Sequence, residues 1–161
     1  MTNIKSFDKF LADSLPITHD ILLAEQLTVH PCVTKVILSG SRGLAGNSRP
    51  DSDIDLSLVV DSSGLPNDER SREALLQEIT QTTLSNWTGK IELDIAVILD
   101  ISNCGLLCLD QTYYNGDFCP IERKDCFGIY KLQKGFTGYV PPGILDIRRI
   151  YPLLTIWTRE G

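Results

Sequence analysis

Histidine is scarce in this 161-residue chain, which has only His19 and His30, and none of its five cysteines forms a Cys-x-x-Cys pair. Both histidines lie near the N-terminus, so the spacing of a zinc site is missing. Each reads as a surface or capping residue. Cys32, Cys104, Cys108, Cys119 and Cys126 are an odd set and read as reduced, structural thiols. Nothing at Met1 has the pattern of a secretory leader, and no apolar run reaches the ~18 residues of a membrane span. The expectation is a cytoplasmic protein with no membrane partner. Positive charge is also short: 15 Lys and Arg stand against 21 Asp and Glu, a formal net charge of −6. Long nucleic acid is gripped by concentrated Lys and Arg, so this balance disfavours it as the main ligand. Internal repeats and low-complexity runs are missing too.

What is present is ordinary for a folded domain. Hydrophobic residues make up 42% and charged residues 22%, and the length suits a single domain over 1–161 with its own core. Residues 5–30 carry helical patterning through Phe7, Phe10, Leu11, Ile21, Leu22, Leu23 and Leu27. Pro16 divides it into two helices, the second capped by Asp13 or Ser14, and Pro31 stops it. A strand begins near Cys32 or Val33 and includes Val36-Ile37-Leu38; another covers Ile54 to Val60. Ser62 to Asn67 is turn chemistry. Asn67 or Asp68 caps a helix from about Glu69 to Trp87, with Leu75, Leu76, Ile79 and Leu84 on one stripe. A third strand runs over Ile91–Ile98. This order is satisfied by an α+β fold with α/β-like order, one sheet with helices on one face.

The extension over 99–161 is less regular. Cys104 to Leu109 is a short apolar piece of open type, and Gln111 to Phe118 reads as strand or turn. Phe127 to Tyr130 reads as a strand and Gly135 to Gly143 as loop. Ile144 to Thr158 reads as a final helix with Ile147, Ile150, Leu154 and Trp157 inward, despite Pro152. Tyr113, Tyr114 and Tyr139 could stack on a base, though packing explains such tyrosines as well.

The chemistry is concentrated between the first two strands. Strand one runs into Gly40-Ser41; after an eleven-residue spacer comes Asp53-Ile54-Asp55, opening the second strand. Side chains alternate along a strand, so Asp53 and Asp55 share a face roughly 7 Å apart. Asp94 interrupts the apolar third strand, and a lone carboxylate there needs a partner or a role. Carboxylates beside a turn rich in free N–H groups suit a divalent metal and a polyphosphate. The structural alternative is that Asp53 and Asp55 cap the loop after Pro50 through their own backbone; Asp51 reads as a plain turn residue, and Asp100, Asp110 and Asp117 as surface residues.

Gly40-Ser41, Ser52-Asp53-Ile54-Asp55-Leu56 and Asp94 together resemble the nucleotidyltransferase superfamily that includes DNA polymerase beta. Over about residues 33–98 the chain is most similar to minimal nucleotidyltransferases and to the catalytic domains of aminoglycoside nucleotidyltransferases. The resemblance implies a small mixed sheet backed by helices, with the three carboxylates at one edge. It implies transfer of a nucleoside monophosphate from an NTP, ATP first among them, to a hydroxyl of a small molecule or protein, with release of pyrophosphate. Asp53, Asp55 and Asp94 would then be both catalytic residues and ligands of two Mg²⁺ ions, or Mn²⁺. Gly40 and Ser41 would bind phosphates, with Arg42 and Arg49 as candidates for the leaving-group charge. Added helical domains that shape the acceptor site in aminoglycoside-modifying relatives have no counterpart here, so a partner protein or homodimer could supply it. The alternatives are an antitoxin-like minimal nucleotidyltransferase that binds or modifies a partner protein, and a non-catalytic NTP-binding module.

Three other motifs fail. A calcium loop starting at Asp51 would need Gly sixth and Glu twelfth, where Leu56 and Ser62 stand. No Gly-Lys-Ser/Thr follows Gly40, so it is not a Walker loop. Gly40, Gly43 and Gly46 lack the close first pair of a dinucleotide fingerprint.

Overall fold

The structure, a computed structural model, describes residues 1–61, 64–100, 129–140 and 152–159. Its elements in chain order are β1 (Thr2–Asn3), α1 (Lys9–Ser14), α2 (Pro16–Ala24), β2 (Thr28–Val29), β3 (Val33–Ser39), β4 (Ile54–Asp61), α3 (Glu69–Asn86), β5 (Leu93–Asp100), β6 (Ile129–Lys131), β7 (Gly138–Val140) and β8 (Leu154–Thr158). The fold is α+β, with a six-stranded mixed sheet in the order β7-β6-β5-β4-β3-β8 and a two-stranded sheet of β1 and β2.

Adjacent β3 and β4 form an antiparallel pair that brings Ser39 opposite Asp55. β5 lies parallel to β4, in register from Ile54↔Leu93 to Asp61↔Asp100. A parallel neighbour needs a long crossover, and α3 supplies it. The Asp68 carboxylate caps α3 by accepting from the Ser71 N–H at 2.8 Å, with Glu69 in the first turn where the helix dipole favours it. All other sheet pairings are antiparallel.

Alternation then sorts the side chains. Ile54, Leu56, Leu58 and Val60 of β4 and Leu93, Ile95, Val97 and Leu99 of β5 join one buried cluster with Leu11, Leu22, Leu76 and Ile79 from the three helices. The intervening residues, Asp55, Ser57 and Val59 on β4 and Asp94, Ala96 and Ile98 on β5, point to the opposite face. The helices therefore cover one face, and the carboxylates stand on the other.

Several sequence expectations change in detail. Pro16 does divide the N-terminal segment, but helix occupies only 9–14 and 16–24, and Thr28–Val29 is strand. Neither Asp13 nor Ser14 caps α2; Leu15 is the cap residue without a side-chain bond, and Pro16 itself pre-sets the first turn. Over its described residues the expected final helix is overturned: Leu154–Thr158 is the edge strand β8 on β3. Its β-branched and aromatic run suits a pleated strand, and Ile156 is the fully buried residue there. Gly138–Val140, expected as loop, is strand β7. The readings for 104–109 and 111–118, with Tyr113, Tyr114 and four of the cysteines, lie outside the described residues, as do Ile147 and Ile150. Among the described residues no helix is long and apolar enough to cross a membrane.

Leu58 is fully buried at the centre of β4, whereas Leu44 is exposed. Leu58→Ala should cost about 3 kcal/mol in urea unfolding and Leu44→Ala less than about 0.5 kcal/mol.

Candidate active site

At the end of β3 the chain turns at Gly40, whose φ of +73° is in the left-handed region. A Cβ at this position would lie 1.9 Å from Asp55 Oδ2, so the turn lies directly against that carboxylate, and only glycine permits both the conformation and the approach. The Gly43 N–H donates to the Gly40 carbonyl at 3.0 Å and the Gly46 N–H to the Gly43 carbonyl at 3.3 Å. The loop is then closed by Arg42. Its Nε donates to the Ser52 carbonyl at 2.9 Å, and Nη2 donates to the Arg49 and Pro50 carbonyls, both at 3.1 Å. Thr18 of α2 donates to the Arg42 carbonyl at 2.7 Å. Arg49-Pro50-Asp51-Ser52 makes a tight turn, with the Ser52 N–H on the Arg49 carbonyl at 3.0 Å and the Ser52 hydroxyl accepting from the Arg49 N–H at 2.7 Å. Chain direction into Asp53 is thus set by Arg42 and Ser52, and the two aspartates are not spent on capping the loop.

Asp55 faces Ser39 on one side and Asp94 on the other, and Asp53 stands one residue before β4 on the same face. Burial raises the Asp55 carboxyl from an ordinary 3.8 to about 7, aided by the Asp94 charge, a hydrogen bond shared with Asp94 and the Asp53 charge, and opposed by Lys131.

Two lysines enter from the β6–β7 hairpin. Lys131 at the end of β6 has a side chain only 8% exposed; its ammonium donates to Asp94 Oδ1 and to the Ile95 carbonyl at 3.3 Å. Past Lys131 the strand pairing stops and a side chain continues it. Gln133 Oε1 accepts from the Ile95 N–H at 2.8 Å, and its Nε2 donates to the Leu93 carbonyl at 2.9 Å, gripping the backbone on both sides of Asp94. Lys134 has a φ of +58° and is followed by Gly135 at +88°. Its ammonium donates to Asp53 Oδ2 at 2.9 Å and lies 3.7 Å from Glu92, and the Asp53 hydrogen bond raises its pKa.

Gly40, Ser41, Asp53, Asp55 and Asp94 therefore gather where β3 ends and β4 and β5 begin. The Ser41 hydroxyl makes no hydrogen bond among the described residues. Arg42 is placed differently from the phosphate-facing role read from the sequence: it is 6% exposed, with its guanidinium turned into its own loop. Arg49 is exposed, and so is Asp51, as expected of a turn residue. Lys131, Gln133 and Lys134 have no place in the sequence reading. The available signal was Lys131, a lone cation after Ile129-Tyr130 that mirrors the lone Asp94.

Among the described residues, no three His, Cys, Asp or Glu side chains are arranged to enclose an ion. Magnesium seldom uses such a cage; one or two carboxylates, water and substrate phosphates usually hold it. The Asp55–Asp94 pair offers only hard oxygen donors, its mutual repulsion calls for a cation, and the bare Gly40 turn leaves backbone beside it. The donor set fits Mg²⁺ or Mn²⁺ on these terms. Comparison with protein-family models, curated proteins and solved structures finds no match to this chain.

Two variants separate the roles. Arg42→Ala strands three carbonyls and should cost about 3 kcal/mol in urea unfolding, against less than about 0.5 kcal/mol for Arg49→Ala. For Asp55 the folded pKa is raised, so its contribution to stability is full below about 3.8 and is lost as pH rises through about 7. Asp55→Asn should match the wild type at pH 4 and exceed it by on the order of 2 kcal/mol at pH 8. That figure discounts the ~4 kcal/mol of the whole displacement for the solvent the carboxylate still meets. Thermal unfolding across this pH range measures the difference.

Proposed function

We propose that this protein is a metal-dependent nucleotidyltransferase that moves a nucleoside monophosphate from an NTP to an acceptor hydroxyl. The observation that carries the reading is the side-by-side placement of Asp55 and Asp94 under the Gly40 turn, with Asp53 one residue before β4.

In the reaction the acceptor oxygen bonds to the α-phosphorus, the bond from that phosphorus to the bridging oxygen breaks, and pyrophosphate leaves. Asp53, Asp55 and Asp94 would hold the divalent cations, which when bound neutralise the triphosphate and acidify the acceptor hydroxyl. The Gly40 turn lets phosphate oxygens approach main chain without a side chain between. The Ser41 hydroxyl donates to a phosphate oxygen, and the exposed Arg49 guanidinium balances the charge that develops on pyrophosphate. Asp94 would complete the acceptor-side cation site and take up the acceptor proton. Lys131 positions Asp94 from behind, and Gln133 fixes the main chain that carries it. Arg42 acts at one remove by holding the loop that delivers Asp53.

Calorimetric titration with ATP, with and without Mg²⁺, tests the reading. Wild-type binding should require Mg²⁺, weaken at least about tenfold in Asp53→Ala/Asp55→Ala, and weaken several-fold in Arg49→Ala. ATP binding indifferent to Mg²⁺ and to the double substitution would sink it.

A further inference from the structure

The two ammonium groups at the carboxylates are held in different ways. Lys131 is buried and has two oxygen partners, one of them a main-chain carbonyl. The Lys134 side chain is 44% exposed and has a single hydrogen bond, to Asp53, with Glu92 farther off at 3.7 Å. An exposed pair of this kind is weak and exchanges readily. The backbone beneath Lys134 is, by contrast, firmly set. The Phe136 N–H donates to the Gln133 carbonyl at 3.1 Å, and the Gln133 side chain is fastened to β5 on both sides of Asp94. The ammonium can therefore leave Asp53 by side-chain rotation alone.

Charge gives it a reason to leave. The three carboxylates and Lys131 carry a formal charge of minus two, which one divalent cation cancels. Lys134 then competes with that cation for the same carboxylate, and once displaced keeps only Glu92, 3.7 Å away and outside hydrogen-bond reach, as a partner. A triphosphate carries more charge than Glu92 and could reach the freed ammonium directly.

We infer that Lys134 is an exchangeable counter-ion: it neutralises Asp53 until a divalent cation takes that carboxylate, and its ammonium then pairs with the phosphates of the nucleotide. The second half rests on the nucleotidyl-transfer reading; the first, competition between Lys134 and a cation for Asp53, does not.

The test uses Mn²⁺ alone, followed by electron paramagnetic resonance, and then ATP at saturating Mg²⁺. The proteins are wild type, Lys134→Asn and Lys134→Arg. Asparagine tolerates a positive φ, so the hairpin keeps its shape when the charge is removed. Lys134→Asn should bind Mn²⁺ roughly fivefold more tightly than wild type and Mg-ATP roughly fivefold more weakly, from the size of an exposed ion pair. Lys134→Arg should follow the wild type in both. Equal or weaker Mn²⁺ binding by Lys134→Asn overturns the inference, and so does a failure of all three proteins to bind Mn²⁺. Tighter Mn²⁺ binding with no ATP binding by any of the proteins supports the competition at Asp53 and overturns both the phosphate half and the nucleotidyl-transfer reading.

Discussion

Asp55 and Asp94 are neighbours because their strands run parallel and in register, and the repulsion between them is the constraint to which the rest of the site responds. Hydrophobic alternation on β4 and β5 forces the arrangement. Ile54, Leu56, Leu93 and Ile95 must enter the core, so the residues between them must face away from it. The core thus drives two acids into partly buried contact, and the nearby groups offset the cost. Lys131 is buried to meet one acid, and the other moves toward its protonated form. This cost in stability is one that the proposed chemistry would account for.

Arg42 is the second determinant. A long loop between antiparallel strands has many main-chain carbonyls to satisfy, and one guanidinium meets three of them in a fixed plane. It sets the path from the Gly40 turn to Asp53 while Thr18 ties that path to α2. Lysine could not reproduce the fork. The loop's two arginines therefore divide the work, one inside as a brace and the other outside in solvent.

Much of this was legible from the amino acids. Gly40, Asp53 and Asp55 lie within one hairpin, and Asp94 is betrayed by the apolar residues around it. The cap at Asp68 and the break at Pro16 are local effects, and local effects can be read locally. The inward turn of Arg42 could not be, since its partners exist only once the loop has closed. Lys131 and Lys134 reach the site across 37 and 81 residues, and nothing in their own neighbourhood names their partners. The helical spacing of Leu154 and Trp157 pointed the wrong way because the free edge of β3 rewards a strand there, whatever period the apolar residues follow.

Gln133 gives the carboxylates a footing of a different nature from the ion pairs above them. Its amide stands in for a peptide unit, so β6 can leave the sheet at Lys131 without stranding the main chain on either side of Asp94. The space that another strand residue would have filled beside Asp94 is spared. This grip is also uncharged. Salt that screens the exposed contact between Lys134 and Asp53 leaves the amide clamp as it was. The position of Asp94 is thereby insulated from ionic strength, while the charges arrayed around it stay responsive to their medium.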